Sequence, residues 1–254
     1  MKRIIAQISF FMVLLITTVS VATPTHWTAV QPGLEYTKIS LFSNFHIGYV
    51  HAFRIDLSKF KLKLAIAEDD RDKIASVHEL TLANKGLLGI NGGFFSQELE
   101  PLGLRISDHE QRNPIKKTPW WGVFYLKDDQ PHIASVKQFK ANPDIEFAVQ
   151  SGPRLIVNNK IVVSLKPGVD SRSAIGINHD QRVILLGTDN VKLTTTQLAR
   201  LMKAPQIEGG LECEEALNLD GGSSTQLYAK IGRFTVDVPG FSAVTDAIIV
   251  APKK

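Results

Sequence analysis

Four times in this sequence a strand-like apolar run meets a Gly-containing turn that carries a polar or charged side chain. Leu87–Ile90 runs into Asn91-Gly92-Gly93, Phe147–Gln150 into Ser151-Gly152-Pro153-Arg154, and Ala216–Leu219 into Asp220-Gly221-Gly222-Ser223-Ser224. The fourth reads in the other sense, with Asp170-Ser171-Arg172-Ser173 leading into Ala174–Ile177. Glycine tolerates positive φ and lets a ligand or another backbone approach closely, and consecutive amides in such turns form anion-binding concavities. If the four ends converge, they build a pocket holding an amide, an arginine, hydroxyls and a carboxylate. Taken alone, each turn is ordinary: Asp-Gly-Gly is common turn chemistry.

The rest of the chain is mostly strand-like. Phe60, Leu62, Leu64 and Ile66 alternate with Lys61, Lys63 and Ala65, the period of a half-buried strand. Hairpins are expected over 120–136, 154–163 and 173–186, with turns at Lys127–Gln130, Asn158-Asn159 and His179–Gln181. Helices are few. Ser76-Val77-His78-Glu79 has capping-box form and starts one that Gly86 ends. Thr194–Gln197 opens a second, stopped by Pro205. No linker, low-complexity segment or fixed-period repeat interrupts the pattern. The expected fold is α+β: one domain on a mixed or antiparallel β-sheet with a few helices.

The first residues read as a leader. Lys2-Arg3 precedes the apolar stretch Ile4–Val19, and Ser20-Val21-Ala22 supplies the small residues of a cleavage site. That stretch is short of the ~20 apolar residues that span a bilayer comfortably. The expected organisation is a signal peptide over 1–22 and one domain over 23–254. The product would be periplasmic or secreted, with no stable membrane insertion after cleavage. Losing Lys2 and Arg3, with no acid lost, lowers the formal net charge from +4 to +2. This is too small a surplus to imply a nucleic-acid partner. Cys213 is the only cysteine, so no intramolecular disulfide forms. Its acidic neighbours Glu212, Glu214 and Glu215 disfavour a thiolate, and it is read as a packing residue. The histidines have no metal-ligand spacing, and no Walker loop, dinucleotide fingerprint or G-x-S-x-G elbow is present. No metal and no cofactor are expected. Of Trp120 and Trp121, either a sugar platform or half core, at least one is expected to be buried.

The segments INGGFF (90–95), SGPRLI (151–156), RSAIGI (172–177) and NLDGGSSTQLY (218–228), in that order, resemble the phosphodiester glycosidase family. Its mammalian member uncovers mannose 6-phosphate by removing N-acetylglucosamine from a phosphodiester. The resemblance runs from about Gly48 to Val250 and suggests a bacterial-type exported member. It departs from many relatives at Ser223, where they carry another glycine. It implies a hydrolase that breaks a sugar C1–O bond whose leaving group is a phosphate ester, acting on a phosphorylated glycan or glycolipid-derived molecule. Two alternatives are a glycan-binding envelope protein without turnover and a phosphodiesterase that cleaves the P–O bond.

Roles follow from this chemistry and the resemblance together. Arg172 would neutralise the departing phosphate through its guanidinium fork. Asp220 would act as nucleophile, base or electrostatic stabiliser of the oxocarbenium-like centre. Asn91 would orient the sugar or a phosphate oxygen. The amides of Gly92, Gly93, Gly221 and Gly222 and the hydroxyls of Ser151, Ser223 and Ser224 would bind the same group, with Arg154 as a second phosphate contact. Bland readings stand beside these: an Arg172–Asp170 pair, an Asn91 that satisfies its own turn, and structural hydroxyls at Ser151 and Ser224. Spacing does not select a second carboxylate among Glu98, Glu100 and Asp170.

Overall fold

Phe60–Ile66 is an edge strand, its apolar side chains buried and its first lysines half-buried. A computed structural model describes residues 23–43, 46–67 and 73–253 around it. The leader expected over 1–22 lies outside the described residues. Every described strand pairing is antiparallel.

Three sheets carry the fold. An eight-stranded sheet runs, in spatial order, Thr28–Gln31, Leu34–Ser43, His46–Ile55, Val183–Asp189, Ser173–Asn178, Cys213–Asn218, Arg154–Val157 and Lys160–Ile161. A five-stranded sheet runs Phe234–Val238, Leu227–Ile231, Leu88–Asn91, Asp246–Pro252 and Phe60–Ile66. The other five-stranded sheet runs Glu110–Asn113, Arg105–Ser107, Ile145–Ser151, Gly122–Lys127 and Gln130–Ser135. A two-stranded ribbon, Val169–Asp170 with Leu193–Thr194, closes one edge of what becomes the cleft.

All three sheets bury a face in one core, where Phe53 and Leu185 of the large sheet meet Leu64 and Ile248 of the second and Phe124 and Phe147 of the third. The outer face of the large sheet is covered by helix α2 (Thr195–Lys203) through Leu198, Ala199 and Met202. Helix α1 (Val77–Ala83) covers the second sheet through Val77 and Leu80. Double coverage explains why Ser173–Asn178 is buried at all six positions and does not alternate.

Both helices begin with the expected capping chemistry: Ser76 with Glu79, and Thr194 with Gln197. The first ends at Asn84, two residues before the expected Gly86 stop. The three expected hairpins form, and the 122–135 pair turns tightly at Asp128-Asp129. Cys213 packs beneath α2, and burial, not its acidic neighbours, pushes its thiol far above the usual range, with Lys203 opposing. No helix among the described residues is long and apolar enough to cross a membrane.

Candidate active site

The four turns interlock through their backbones. Cys213–Asn218 lies between Ser173–Asn178 and Arg154–Val157, so its end emerges between the RSAIGI and SGPRLI segments. The Leu219 amide donates to the Ser173 carbonyl (2.9 Å), and the Asn218 amide to that of Pro153 (3.0 Å). One residue later, the Asp220 amide donates to the Gly92 carbonyl (3.0 Å), while Asn91 Nδ2 donates to the Asp220 carbonyl (2.8 Å). The Gly222 amide then donates to the Ser171 carbonyl (2.9 Å). Asp220 is therefore fixed from several sides before any ligand arrives. Gly222 has φ +62°, a conformation that favours glycine, and a Cβ there would press on the Asp170 carboxylate at 3.0 Å.

A cleft of about 720 Å³ opens above this junction. Asp220, Asp170, Arg172, Arg154, Lys166 and Trp120 line it, with backbone from Gly152, Gly221 and Gly222. Trp120 is 56 % exposed and stands edge-on against Trp121, which is 6 % exposed. The tryptophan pair thus divides into one cleft-wall ring and one core ring. Three cations against two carboxylates leave the cleft net positive, suited to an anionic substrate.

Burial raises the Asp220 carboxyl above the ordinary carboxylate range. Bonds from the Ser224 hydroxyl and the Gly221 amide (2.9 Å) oppose that shift. Asp246 behind it repels a second negative charge, and Arg105 partly offsets this. Arg105 and Asp246 form an ion pair at 3.0 Å with both side chains at most 1 % exposed. Arg105 also donates to the carbonyls of Gly103, Leu104, Gln150 and Phe94. Asp246 accepts from the Gly93 amide (3.2 Å) and the Thr245 hydroxyl (3.1 Å). The reading of the sequence did not include this pair.

Arg172 sits in the wall, half-buried. Nε donates to the Leu193 carbonyl (2.8 Å) and Nη2 to that of Gly168. Nη1 forms no hydrogen bond among the described residues, so that end of the fork keeps its donors available. Burial lowers the guanidinium pKa, and nearby Asp170 opposes the shift. Asp170 does not pair with Arg172. It accepts from the Ser171 amide (2.9 Å) and lies 3.9 Å from Lys192. The Arg154 guanidinium lines the cleft with no hydrogen bond or close ion pair among the described residues, and its charge opposes the burial-driven rise of the Glu215 carboxyl pKa. Of the three carboxylates open to choice, Asp170 lines the cleft, whereas Glu100 pairs with Lys73 (2.7 Å) and Glu98 bonds Ser96.

Several expected ligand contacts are turned inward. Asn91 is fully buried and closes its strand, with Oδ1 accepting from Ser173 (2.6 Å) and the Gln226 amide (3.1 Å). It positions Asp220 and has no free edge for a sugar. The Gly92 and Gly93 amides are spent on Asp246. A Cβ at Gly92 would come within 1.8 Å of the Asp246 carboxylate, so that glycine serves close packing and not ligand approach. Ser151 is buried away from the cleft, its hydroxyl unpartnered. Ser224 holds Asp220. Ser223 is exposed, and its carbonyl accepts from the amides of Phe241 (2.9 Å) and Ser242 (3.0 Å). Among the described residues, no three His, Cys, Asp or Glu side chains are grouped to hold a metal.

Residues 84–251 match the family model described as phosphodiester glycosidase. The uncharacterized protein YigE of Escherichia coli (strain K12) is 33% identical over 157 residues, covering 57% of this chain and 59% of that protein. The chain thus spans about three-fifths of the length of that curated relative. Among solved structures, the catalytic domain of zebrafish N-acetylglucosamine-1-phosphodiester alpha-N-acetylglucosaminidase superposes with a TM-score of 0.67 at 16% identity, over 90% of this chain and 86% of that one. A hypothetical protein from Synechocystis gives 0.61 at 17% identity, over 90% and 64%. At these identities the structural likeness speaks for the fold alone.

Proposed function

This chain belongs to the phosphodiester glycosidase family, and on that premise we propose that its cleft hydrolyses the C1–O bond of a sugar-1-phosphodiester. The observation that carries this reading is the presence of Asp220 and Arg172 in the walls of one cleft, with Arg154 and Lys166 beside them. The phosphodiester leaves as a stabilised anion, so protonation of the leaving group matters less than in ordinary glycoside hydrolysis. Arg172 Nη1 and Arg154 take up the charge that grows on phosphate as the bond breaks. Asp220 faces C1 and stabilises the positive centre or activates the water that attacks it. Burial of that carboxyl strengthens its field at a nearby cation. Trp120 supplies an apolar face for the sugar ring.

The substrate is a phosphorylated glycan or glycolipid-derived molecule of the cell envelope, met by an exported enzyme in the periplasm or outside the cell. A mature N-terminus at Thr23 tests the export. Incubation with a sugar-1-phosphodiester in heavy-oxygen water tests the reaction. Label in the sugar supports C1–O cleavage, label in phosphate points to P–O cleavage, and no product across a panel of such diesters points to a binding protein.

A further inference from the structure

Half of the large apolar side chains exposed among the described residues gather around the mouth of the cleft: Trp120, Val163, Val169 and Phe241. Trp120 belongs to the cleft wall. The other three have no such task. Val163 is fully exposed between Val162 and Ser164, which both line the cleft. Val169 stands between Gly168 and Asp170, two further lining residues, and lines the neighbouring groove together with Phe241. That groove shares Gly222 with the cleft as a common wall. The Phe241 ring is 95 % exposed although its loop is fixed. The Phe241 and Ser242 amides donate to the Ser223 carbonyl, and Gln226 Nε2 donates to the Ser242 carbonyl (2.7 Å). The backbone thus holds the ring out in water, where its apolar surface is unfavourable. Apolar side chains gathered and held out in this way mark a contact surface.

Cations accompany these side chains. Lys166 lines the cleft and Lys192 the groove, both exposed. Lys116 and Lys117 are exposed on the turn that ends at Trp121, where the Thr118 amide donates to the Lys116 carbonyl (2.8 Å) and the Trp121 amide to the Thr118 carbonyl (3.1 Å). The acids at the same mouth are Asp170, 3.9 Å from Lys192, and Asp189. We propose that this rim docks reversibly on an anionic bilayer surface and sets the mouth of the cleft at headgroup level. Val163, Val169 and Phe241 enter the boundary of the acyl chains, and the lysines lie against lipid phosphates. The two valines come from the segment along one edge of the cleft and the phenylalanine from the 239–242 loop, with charged groups among them. A fluid interface accepts such separate prongs without a surface shaped to match them. So few side chains give peripheral binding and not insertion. The proposal goes beyond the reaction assigned to the cleft and does not depend on which bond is cleaved there.

Co-sedimentation of the mature protein with vesicles tests this. Binding is expected to vesicles of phosphatidylglycerol with phosphatidylcholine, weakening as salt is raised, with little binding to phosphatidylcholine alone. Phe241→Ser should lower the partition coefficient about tenfold and Val163→Ser about fivefold, from the apolar area each withdraws. Lys117→Gln should lower it roughly fivefold. Ile207→Ser is the control: that side chain is also exposed, but it lies past the end of α2 remote from Thr195, the α2 residue that lines the cleft. Binding should be native there. Thermal unfolding should be native in all of these surface variants. Native protein that ignores both vesicles would point to a protein partner and overturn the proposal. Equal binding to the two vesicles, undiminished binding of Phe241→Ser and Val163→Ser, or an equal loss in Ile207→Ser would overturn it as well. Turnover of a water-soluble diester should be the same in Phe241→Ser as in the native chain. Absence of any turnover would count against the reaction proposed for the cleft, while the vesicles alone decide the docking.

Discussion

Asn91 Nδ2 donates a 2.8 Å hydrogen bond to the main-chain carbonyl of Asp220, 129 residues further along the chain. That bond joins the second sheet to the Asp220 turn of the first. The Asn91 side chain also satisfies Ser173 and the Gln226 amide, so three of the four sequence motifs meet at one buried amide. In the proposed reaction Asn91 therefore acts through Asp220 and not on the substrate.

Replacing Asn91 by Ala strands a hydroxyl, an amide and a carbonyl in a dry site. Each orphaned group costs about 1–3 kcal/mol, so a loss of roughly 3 kcal/mol or more in unfolding free energy is expected, with kcat falling alongside. Denaturant unfolding and steady-state kinetics on the same variant check this. Full stability with an increased KM would instead make Asn91 a substrate contact.

Asp246→Asn removes half of a buried ion pair and leaves Arg105 uncompensated, a change of about 3–5 kcal/mol in typical cases. It has an electrostatic consequence too. Asp246 holds the Asp220 proton on and Arg105 draws it off, so removing the Asp246 charge while Arg105 stays lowers the Asp220 pKa. If ionised Asp220 is the working form, the acid limb of kcat/KM moves to lower pH. A destabilised variant whose acid limb stays in place would remove Asp246 from the electrostatics of the site.

The strand pattern was legible because much of it is local. Phe60–Ile66 alternates where one face stays partly wet, and the two helix starts carry their caps within four residues. The ordered motifs carried the cleft as well, since Asp220, Arg172, Arg154, Gly221 and Gly222 all reach it. Hydrogen-bond direction was not legible. Asn91 and Gly92-Gly93 look from the sequence like an open turn, yet their donors point at groups more than a hundred residues away. Arg105 and Asp246, 141 positions apart, are single charges in unremarkable strands until the sheets bring them together. The acidic neighbours of Cys213 suggested the correct direction for its thiol, but the cause is burial under α2, a tertiary fact.

Arg172→Lys keeps a charge and loses the planar fork, whose Nε and Nη2 brace the wall while Nη1 stays open. KM should rise and kcat should fall together. If phosphate departure limits the rate, diesters with more acidic leaving groups should partly restore kcat in this variant. Kinetics across a leaving-group series test both points. A lysine variant with native kcat and KM would assign Arg172 a bracing role only.

The most direct test is the turnover of Asp220→Asn on a sugar-1-phosphodiester that the native chain cleaves. The substitution preserves size and removes the charge proposed to act as the bond to C1 breaks. A fall in kcat of about 10²-fold or more, with KM little changed, is the expected result. A kcat close to that of the native protein would contradict the account and leave Asp220 as a turn residue beside an empty chemistry.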